Sequence, residues 1–316
     1  MKLTHKLTIC LSLICSILTA QGFNEYLNAY SNDNRIGYLQ PLADLSISGL
    51  NATVPISSYI GKDFYLNLNF AGVYSKPVDS QRTFTGWTDP SFSEQISREV
   101  PTIIGANESV MVTAADGTSY VFATGYNIDF LPLVIPQLTI GGIAGTELTG
   151  RFFAWDTKDD FGKFDLLGIG LRHSIDQHIS RTFPVAINIG YQFNKSDIGR
   201  YMKLQSHFGY IQGAYQTGLL DLSLYGGYQT GDFDVYYSFN SIGEEVDIET
   251  NLKNADKILA GMGARVQLGF FAISASLSGP KPLMGNVNLE FRIVGKKKTD
   301  EVIPMEASEI IENSTN

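Results

Sequence analysis

The segment from Arg172 to His178 holds the densest set of side chains that could do chemistry. It places His173 beside Ser174 and follows them with Asp176, which are the residue types of a base, a nucleophile and an orienting carboxylate. Successive side chains of a β-strand point to opposite faces, so His173 and Ser174 cannot pair unless the chain turns between them. His173 and His178 are five residues apart, which matches neither the strand nor the helix spacing of paired metal ligands. We therefore predict a polar turn at a strand end, with no catalytic residue, no cofactor and no metal.

Two rows of polar residues recur at the spacing of one strand face. The rows are Glu147, Thr149, Arg151 and Lys203, Gln205, His207. Such rows can form a constriction that orients a ligand, or a packed polar interior whose charges pair across neighbouring strands. We predict that all six line the interior of the protein, and both interpretations stay open.

Alternation of apolar and polar residues runs through most of the chain after residue 63 and predicts the elements that would position these rows. In 185–194, for example, Val185, Ile187 and Ile189 oppose Ala186 and Asn188. This period of two indicates strands with one apolar and one polar face. The candidate strands are 63–75, 118–130, 136–144, 146–156, 162–174, 183–195, 199–213, 217–229, 231–241, 244–252, 256–269, 270–279 and 283–295, with a less certain one near 51–59.

The lengths of these segments favour a membrane barrel over a soluble sandwich. Many run 10–14 residues, whereas soluble strands average about 5–6 and a tilted membrane strand needs about 9–11. We predict an all-β fold, an antiparallel up-and-down transmembrane β-barrel of about 12–14 strands that occupies residues 51–295. Residues 76–117 are predicted to be a long loop. The double-proline stretch 131–136 is predicted to be a turn or kink, because proline breaks strand ladders.

The two ends differ from this body. Lys2 and Lys6 precede an apolar run and a small residue, which predicts a signal peptide over 1–20. Aromatic and leucine residues then recur at helical spacing, so 21–50 is predicted to be a helical plug or lead-in. Residues 296–316 are predicted to be a flexible charged tail. Both cysteines lie within 1–20, which leaves the exported chain without disulfide or thiolate chemistry.

The charge balance excludes one class of partner. The chain carries a formal charge of −9, which becomes −11 without Lys2 and Lys6. No basic patch of the kind that binds nucleic acid appears.

Four stretches of the chain resemble an uncharacterised outer-membrane barrel family of Bacteroidota. They are 100–105, 131–141, 145–151 and 168–175, and the resemblance spans roughly 23–295. More distantly, that family is similar to long-chain fatty-acid transporters, which bind hydrophobic molecules in a barrel with an N-terminal plug. The resemblance implies a barrel fold and carries no residue-level transport motif.

We therefore expect a protein of the cell outer membrane, exported by its signal peptide, that acts as a channel or carrier for small hydrophobic or amphipathic molecules. Its expected partners are outer-membrane lipid and such a molecule. A structural or interaction barrel without transport is the second hypothesis, and a lipid-modifying enzyme is the third. The oligomeric state stays open.

Overall fold

The computed structural model describes residues 30–57, 59–156, 163–178, 185–241 and 244–295. Between residues 238 and 247, only the backbone is described within these ranges. The predicted signal peptide and the predicted C-terminal tail lie outside these ranges. One α-helix and fifteen strands are present in the described residues. They are α1 (Asn32–Asn51), β1 (Tyr65–Lys76), β2 (Thr83–Trp87), β3 (Ser97–Pro101), β4 (Met111–Thr113), β5 (Ser119–Val121), β6 (Leu131–Ile143), β7 (Thr146–Asp156), β8 (Lys163–Ser174), β9 (Ala186–Ile198), β10 (Met202–Thr217), β11 (Leu220–Ser241), β12 (Glu244–Lys253), β13 (Ile258–Leu268), β14 (Phe271–Gly279) and β15 (Leu283–Val294).

Ten of these strands close into an antiparallel barrel. The order around the ring is β1, β6, β7, β8, β9, β10, β11, β13, β14, β15, and β15 pairs again with β1. Strands that follow one another in sequence are neighbours in the ring, except that β6 follows β1 and β13 follows β11, because β2–β5 and β12 lie outside the ring. The ring leaves no free sheet edge, which is the condition for a sheet to span a bilayer.

The faces of the barrel are reversed relative to those of a soluble protein. On β9, Asn188 and Asn194 are fully buried towards the lumen, while Ile189 and Tyr191 point outwards and are 47% and 48% exposed. Leaving a large apolar side chain in water forgoes about 1.5–3 kcal/mol of burial energy. A belt of such side chains on the outside, with amides inside, is stable only against lipid. The predicted transmembrane β-barrel is therefore confirmed as the fold class.

The number of barrel strands is smaller than predicted, because two predicted strands are one. The predicted strands 217–229 and 231–241 are replaced by the single long strand β11 from Leu220 to Ser241, whose first half pairs with β13 and whose second half pairs with β12. β12 contacts the sheet only through β11 and stands outside the ring. The predicted strand 118–130 also lies outside the ring and contains only the three-residue strand β5.

The prediction of a turn or kink over 131–136 is wrong. Leu131 to Pro136 form the first half of β6 and pair with β1 along their whole length. The ladder between β6 and β7, however, runs only from Gln137–Arg151 to Ile143–Thr146. Pro132 and Pro136 are thus tolerated because their half of β6 is paired on one side only, as at a sheet edge.

Helix α1 lies inside the barrel. Its side chains are buried around most of its circumference, from Tyr38 to Asn51. It packs on β1, β6, β10 and β11 of the ring and on β2 and β12 outside it. A helix that is buried on all sides needs protein on all sides, and the barrel wall supplies it together with β2 and β12. Within the described residues, no helix has the length and apolar character needed to span a bilayer.

Residues 52–60, called here the threading segment, continue from α1 down the lumen to the start of β1. The uncertain strand predicted near 51–59 is therefore wrong: this stretch contains no strand pairing among its described residues. Its backbone carbonyls accept hydrogen bonds from side chains of the wall instead of from another strand.

The insertion between β1 and β6 closes one end of the barrel. Residues 77–130, called here the cap, carry the hairpins β2–β3 and β4–β5, and their Val100, Ile103 and Phe122 join the same apolar core as Tyr38 of α1. The connections β6–β7, β10–β11 and β13–β14 at the opposite end, called here the turn end, are two residues long. Two-residue turns of this kind are typical of one end of outer-membrane barrels, although the β8–β9 connection at the same end spans residues 175–185.

Candidate binding site in the barrel lumen

A collar of polar wall side chains holds the chain from Asn51 to Ser57. Five backbone carbonyls of this stretch accept hydrogen bonds from the wall. The pairs are Gln192 Nε2 to Asn51 O (2.6 Å), Asn286 Nδ2 to Ala52 O (3.2 Å), Arg151 Nη2 to Thr53 O (3.2 Å), Gln212 Nε2 to Pro55 O (2.8 Å) and Arg172 Nη1 to Ser57 O (3.0 Å). Carbonyls without ladder partners in a water-poor lumen need such donors, so the collar replaces a strand neighbour.

The charged centre of the collar is a buried ion pair between β7 and β8. Arg172 Nε donates to Glu147 Oε2 at 2.7 Å, and Tyr65 donates to the other carboxylate oxygen. The remaining Arg172 nitrogens reach the Ser57 hydroxyl (2.5 Å) and Gln212 Oε1 (2.8 Å). Because a buried ion pair is stable only when its other hydrogen-bonding positions are also satisfied, the position of the threading segment and this pair depend on each other.

The first predicted polar row lies in the lumen. Glu147, Thr149 and Arg151 are 4%, 5% and 2% exposed. Arg151 Nη1 donates to Asn194 Oδ1 at 2.7 Å and Nη2 to Gln192 Oε1 at 2.5 Å. The Glu147 carboxylate pairs with Arg172, and both Arg151 Nη atoms bond to amides or to Thr53 O, whereas Arg151 Nε is buried without a partner. These contacts favour a packed polar interior over a constriction that orients a ligand.

The prediction that Lys203, Gln205 and His207 line the interior is wrong. The burial pattern of β10 turns Lys203 and Gln205 outwards, with His207 half-buried on the same face, and turns Met202, Leu204 and Phe208 inwards. The physical reason is α1: near the cap the lumen contains an apolar helix face, so the apolar side of β10 packs inwards there. Alternation reveals two faces but does not say which apolar surface each face meets.

An apolar cavity lies between α1, the cap and the wall. Its cavity volume is about 50 Å³, and part of the space around it is open to solvent. Its lining residues are Leu42, Leu45, Ser46 and Leu50 of α1, Ile103, Ile104 and Ile128 of the cap, and Leu131, Leu133, Phe164, Ser196, Ile198, Met202, Leu204 and Phe233 of the wall. We call it the upper cavity. A concave and mostly apolar lining is typical of small-molecule sites.

The helix presents different stripes to the cavity and to the wall. Leu42, Leu45 and Leu50 face the cavity, while Ser48 accepts from Gln229 Nε2 at 3.0 Å. On the same polar stripe, Asp44 Oδ1 accepts from Ala255 N–H at 2.8 Å. Burial raises the pKa of Asp44, and the bond from Ala255 opposes that rise only in part.

A second, polar chamber lies below the upper cavity, between the threading segment and the strands β1, β14 and β15. Its cavity volume is about 30 Å³. Asn69 Oδ1, Asn286 Oδ1, Asn288 Oδ1 and Arg265 Nε are buried there without a protein partner. A polar chamber of this volume has room for about one or two water molecules, which can satisfy buried polar atoms of this kind.

The segment 172–178 forms a turn at the end of β8. Ser174 Oγ donates to Asp176 Oδ1 at 2.7 Å, whereas the ring of His173 faces His178. His173 and Ser174 are therefore not paired as base and nucleophile. Over the described ranges, no group of three or more His, Cys, Asp or Glu side chains is placed to hold a metal ion.

Known structures with a similar fold are outer-membrane barrels. The likenesses include the outer-membrane protease OmpT of Escherichia coli (8% identity, 76% of this chain and 99% of that chain, TM-score 0.30) and a loop-deletion mutant of OmpT, an outer-membrane protein of Vibrio cholerae (10%, 73% and 98%, 0.27). The toluene transporter TbuX of Ralstonia pickettii also aligns (9%, 87% and 99%, 0.28). With TM-scores below 0.5, these alignments do not establish a shared function.

A search of curated proteins gives no match. An origin in Bacteroidota and a likeness to fatty-acid transporters both stay predictions. The model of one protein family, described as a family of unknown function (DUF6588), matches residues 1–293. Because this match covers nearly the whole chain, the protein belongs to the family DUF6588.

Proposed function

We propose that the protein is an outer-membrane carrier for small hydrophobic molecules and that the upper cavity is its binding site. The observation that carries the proposal is an apolar cavity of about 50 Å³ beside α1, in a barrel whose lower lumen is polar. A lumen that only had to be filled would be packed to the density of a protein interior. An unfilled apolar space beside the plug is instead the shape of a ligand site.

The lining of the cavity selects for uncharged ligands. None of the described residues that line it carries a charge, and Ser46 and Ser196 are its only hydroxyls. Burying a carboxylate without a partner costs several kcal/mol or more. The cavity therefore favours a neutral hydrocarbon or aromatic molecule over a fatty-acid headgroup, and an amphipathic ligand would have to keep its polar end outside.

The wall beside the cavity is interrupted. Leu131 and Leu133 line the cavity from the half of β6 that has no ladder to β7. On the outer side of the same half, Val134 is 42% exposed. A wall held by side-chain packing instead of ladder bonds opens more readily than the rest of the barrel, so we propose that ligands move between the cavity and the lipid here.

The filled lumen supports a carrier in preference to an open channel. Helix α1 and the threading segment occupy the axis, and the collar binds their carbonyls from several strands. A water-filled pore would need this plug to leave. Transfer of a hydrophobic ligand through the wall does not.

The proposal is tested with a cavity-filling substitution. Leu204→Trp adds a large side chain at a lining residue, and Gln205→Trp adds the same side chain on the outer face of the same strand. We expect Leu204→Trp to weaken the binding of a neutral naphthylamine dye at least tenfold, measured by fluorescence on purified protein in micelles. Gln205→Trp should bind the dye like the wild type.

Equal binding by the wild type and both variants would overturn the proposal, as would no saturable binding by the wild type. Folding of each variant is checked by circular dichroism. A variant pair that folds but differs in dye affinity in the expected direction supports the upper cavity as the site.

A structural or interaction barrel is the second candidate, and the surface of the cap favours it. Met111 and Val121 are cross-strand neighbours that are 64% and 53% exposed, and Trp87 is 50% exposed. Exposed apolar side chains of this kind occur at protein contacts. Cross-linking in intact cells that captures one stable partner through the cap, together with no dye binding, would favour this function.

We propose no catalytic role. The arrangement that supports this is the separation of His173 from Ser174, whose hydroxyl is held by Asp176. Loss of phospholipid hydrolysis or modification in His173→Ala, relative to an active wild type, would contradict it. Export by the predicted signal peptide likewise stays a proposal.

A further inference from the structure

Two histidines meet at the turn end of the barrel, away from both lumenal chambers. The Nε2 atoms of His173 and His178 are 3.1 Å apart, and the ring centroids are separated by 5.4 Å. Both rings stand at the surface, His173 half-buried and His178 exposed. The upper cavity and the collar use neither ring.

The local backbone explains why residues five apart in sequence come together. β8 ends at Ser174, and a 3₁₀ turn at Asp176–His178 reverses the chain. Asp176 fixes that turn, because its Oδ1 accepts from Ser174 Oγ at 2.7 Å and from Ile187 N–H at 3.0 Å. The histidine at the end of the turn is therefore held against the histidine at the end of the strand.

The separation of the two nitrogens suits one metal ion. Zn–N bonds of about 2.0–2.1 Å in a tetrahedron place two ligand nitrogens about 3.3 Å apart, close to the 3.1 Å seen here. The same atoms can instead share one proton as an N–H···N hydrogen bond. Rotation of the two rings would convert that head-to-head contact into convergence on one cation.

The surroundings of His173 resemble those of a metal ligand. Its Nδ1 is 2.9 Å from Thr146 Oγ1, and ligating imidazoles normally donate their second N–H to such an oxygen. When Nε2 binds a metal, the ring carries its proton on Nδ1 and donates it to Thr146.

A side-chain amide stands beside the pair. Gln177 Nε2 is 3.4 Å from His173 Nε2 and 3.3 Å from His178 Nε2, and it donates to Ala144 O at 3.1 Å. The amide approaches so closely that a Cβ on Gly145, whose φ is +66°, would lie 2.2 Å from Gln177 Nε2. Glycine at 145 thus leaves room for three nitrogen-bearing side chains around one point.

We propose that His173 and His178 form a surface site for a divalent cation of the zinc class, with solvent completing the coordination. Imidazole ligands favour Zn²⁺, Cu²⁺ or Ni²⁺ over Ca²⁺ and Mg²⁺, which prefer oxygen. A bound cation ties the end of β8 to the turn that follows it. The proposal is independent of the proposed carrier function.

The test is metal binding by the full protein, purified in detergent without a polyhistidine tag and stripped with a chelator. The chain has four histidines, and the fourth beside His5, His173 and His178 is His207. We expect one Zn²⁺ per chain by calorimetry, no binding in His173→Ala or His178→Ala, and unchanged binding in His207→Ala. Nitrogen couplings from two imidazoles should appear in the electron paramagnetic resonance spectrum of the Cu²⁺ form.

Thr146→Val distinguishes a metal site whose ligand His173 is oriented by Thr146 from two histidines that lie close together by chance. Losing the bond to His173 Nδ1 should weaken zinc binding about tenfold or more, while the circular dichroism spectrum stays that of the wild type. The proposal is overturned if the wild type binds no zinc, if either histidine can be replaced without loss, or if Ca²⁺ binds as tightly as Zn²⁺.

Discussion

Replacing Arg172 tests how the plug is held. Arg172→Met removes the cation from a lumenal site where its side chain is 2% exposed, and it leaves Glu147 charged and without its partner. The same change removes the donors to Ser57 O and Gln212 Oε1. Breaking a buried ion pair from one side costs about 3–5 kcal/mol, which corresponds to a factor of roughly 10² or more in the unfolding equilibrium.

Two companion variants make this magnitude interpretable. Glu147→Gln combined with Arg172→Met removes the uncompensated charge, so it should be more stable than Arg172→Met alone by about 1–3 kcal/mol. Arg200→Met is the matched control, because Arg200 is exposed in the β9–β10 turn. Its effect should stay within about 0.5 kcal/mol.

The assay is denaturant unfolding in micelles, followed by the fluorescence of Trp87 and Trp155. Limited proteolysis at the threading segment gives an independent readout of plug release. If Arg172→Met is as stable as Arg200→Met, or if the double variant is less stable than the single one, the collar does not hold the plug.

Two further predictions concern α1. Burial raises the pKa of Asp44 above its usual 3.8, so the folded state binds that proton more tightly than the unfolded state. The protein therefore loses stability as the pH rises from 3.8 through the raised value. In melting curves across this pH range, Asp44→Asn should flatten the loss of stability, and an unchanged curve would contradict the raised pKa. A Cβ on Gly37 would lie 2.4 Å from the Phe84 ring, so Gly37→Ala should lower the free energy of unfolding by about 1–3 kcal/mol, even though alanine has the better helix propensity. Adding Phe84→Leu to that variant should restore part of the lost stability.

The sequence predicted the barrel because lipid and lumen impose opposite polarity on the two faces of each strand. The opposite orientations of Ile189 and Asn188 can be predicted from residue order alone, since both faces follow a period of two. The number of strands in the closed barrel was harder to predict. Nothing in the alternation distinguishes one long strand such as β11 from two strands joined at Thr230-Gly231.

The site was predicted only where the lumen is polar. Glu147 and Arg151 follow the rule that polar faces point inwards, whereas Leu204 breaks it because α1 brings its own apolar face into the lumen. The helix itself holds the signal that sequence reasoning missed. Its polar stripe through Asp44 and Ser48 and its apolar stripe through Leu45 and Leu42 predict a helix that contacts two different environments.

The histidine pair and the cavity depend on tertiary structure. The spacing rule for His173 and His178 assumed one regular element, and the 3₁₀ turn between them removes that assumption. The cavity is assembled from α1, the cap and five strands, from Leu42 to Phe233. No local pattern can specify a surface whose parts are separated by so much chain.

The central claim is that the upper cavity holds a neutral hydrophobic molecule. An experimental density map of the protein, purified from its own membranes in a detergent too large for the cavity, tests this claim most directly. We predict ordered, elongated density between Leu45 and Leu204, and mass spectrometry of the extracted protein should identify an uncharged molecule of matching size. A cavity that stays empty in that map, and also after soaking with neutral aromatic compounds, would contradict the account.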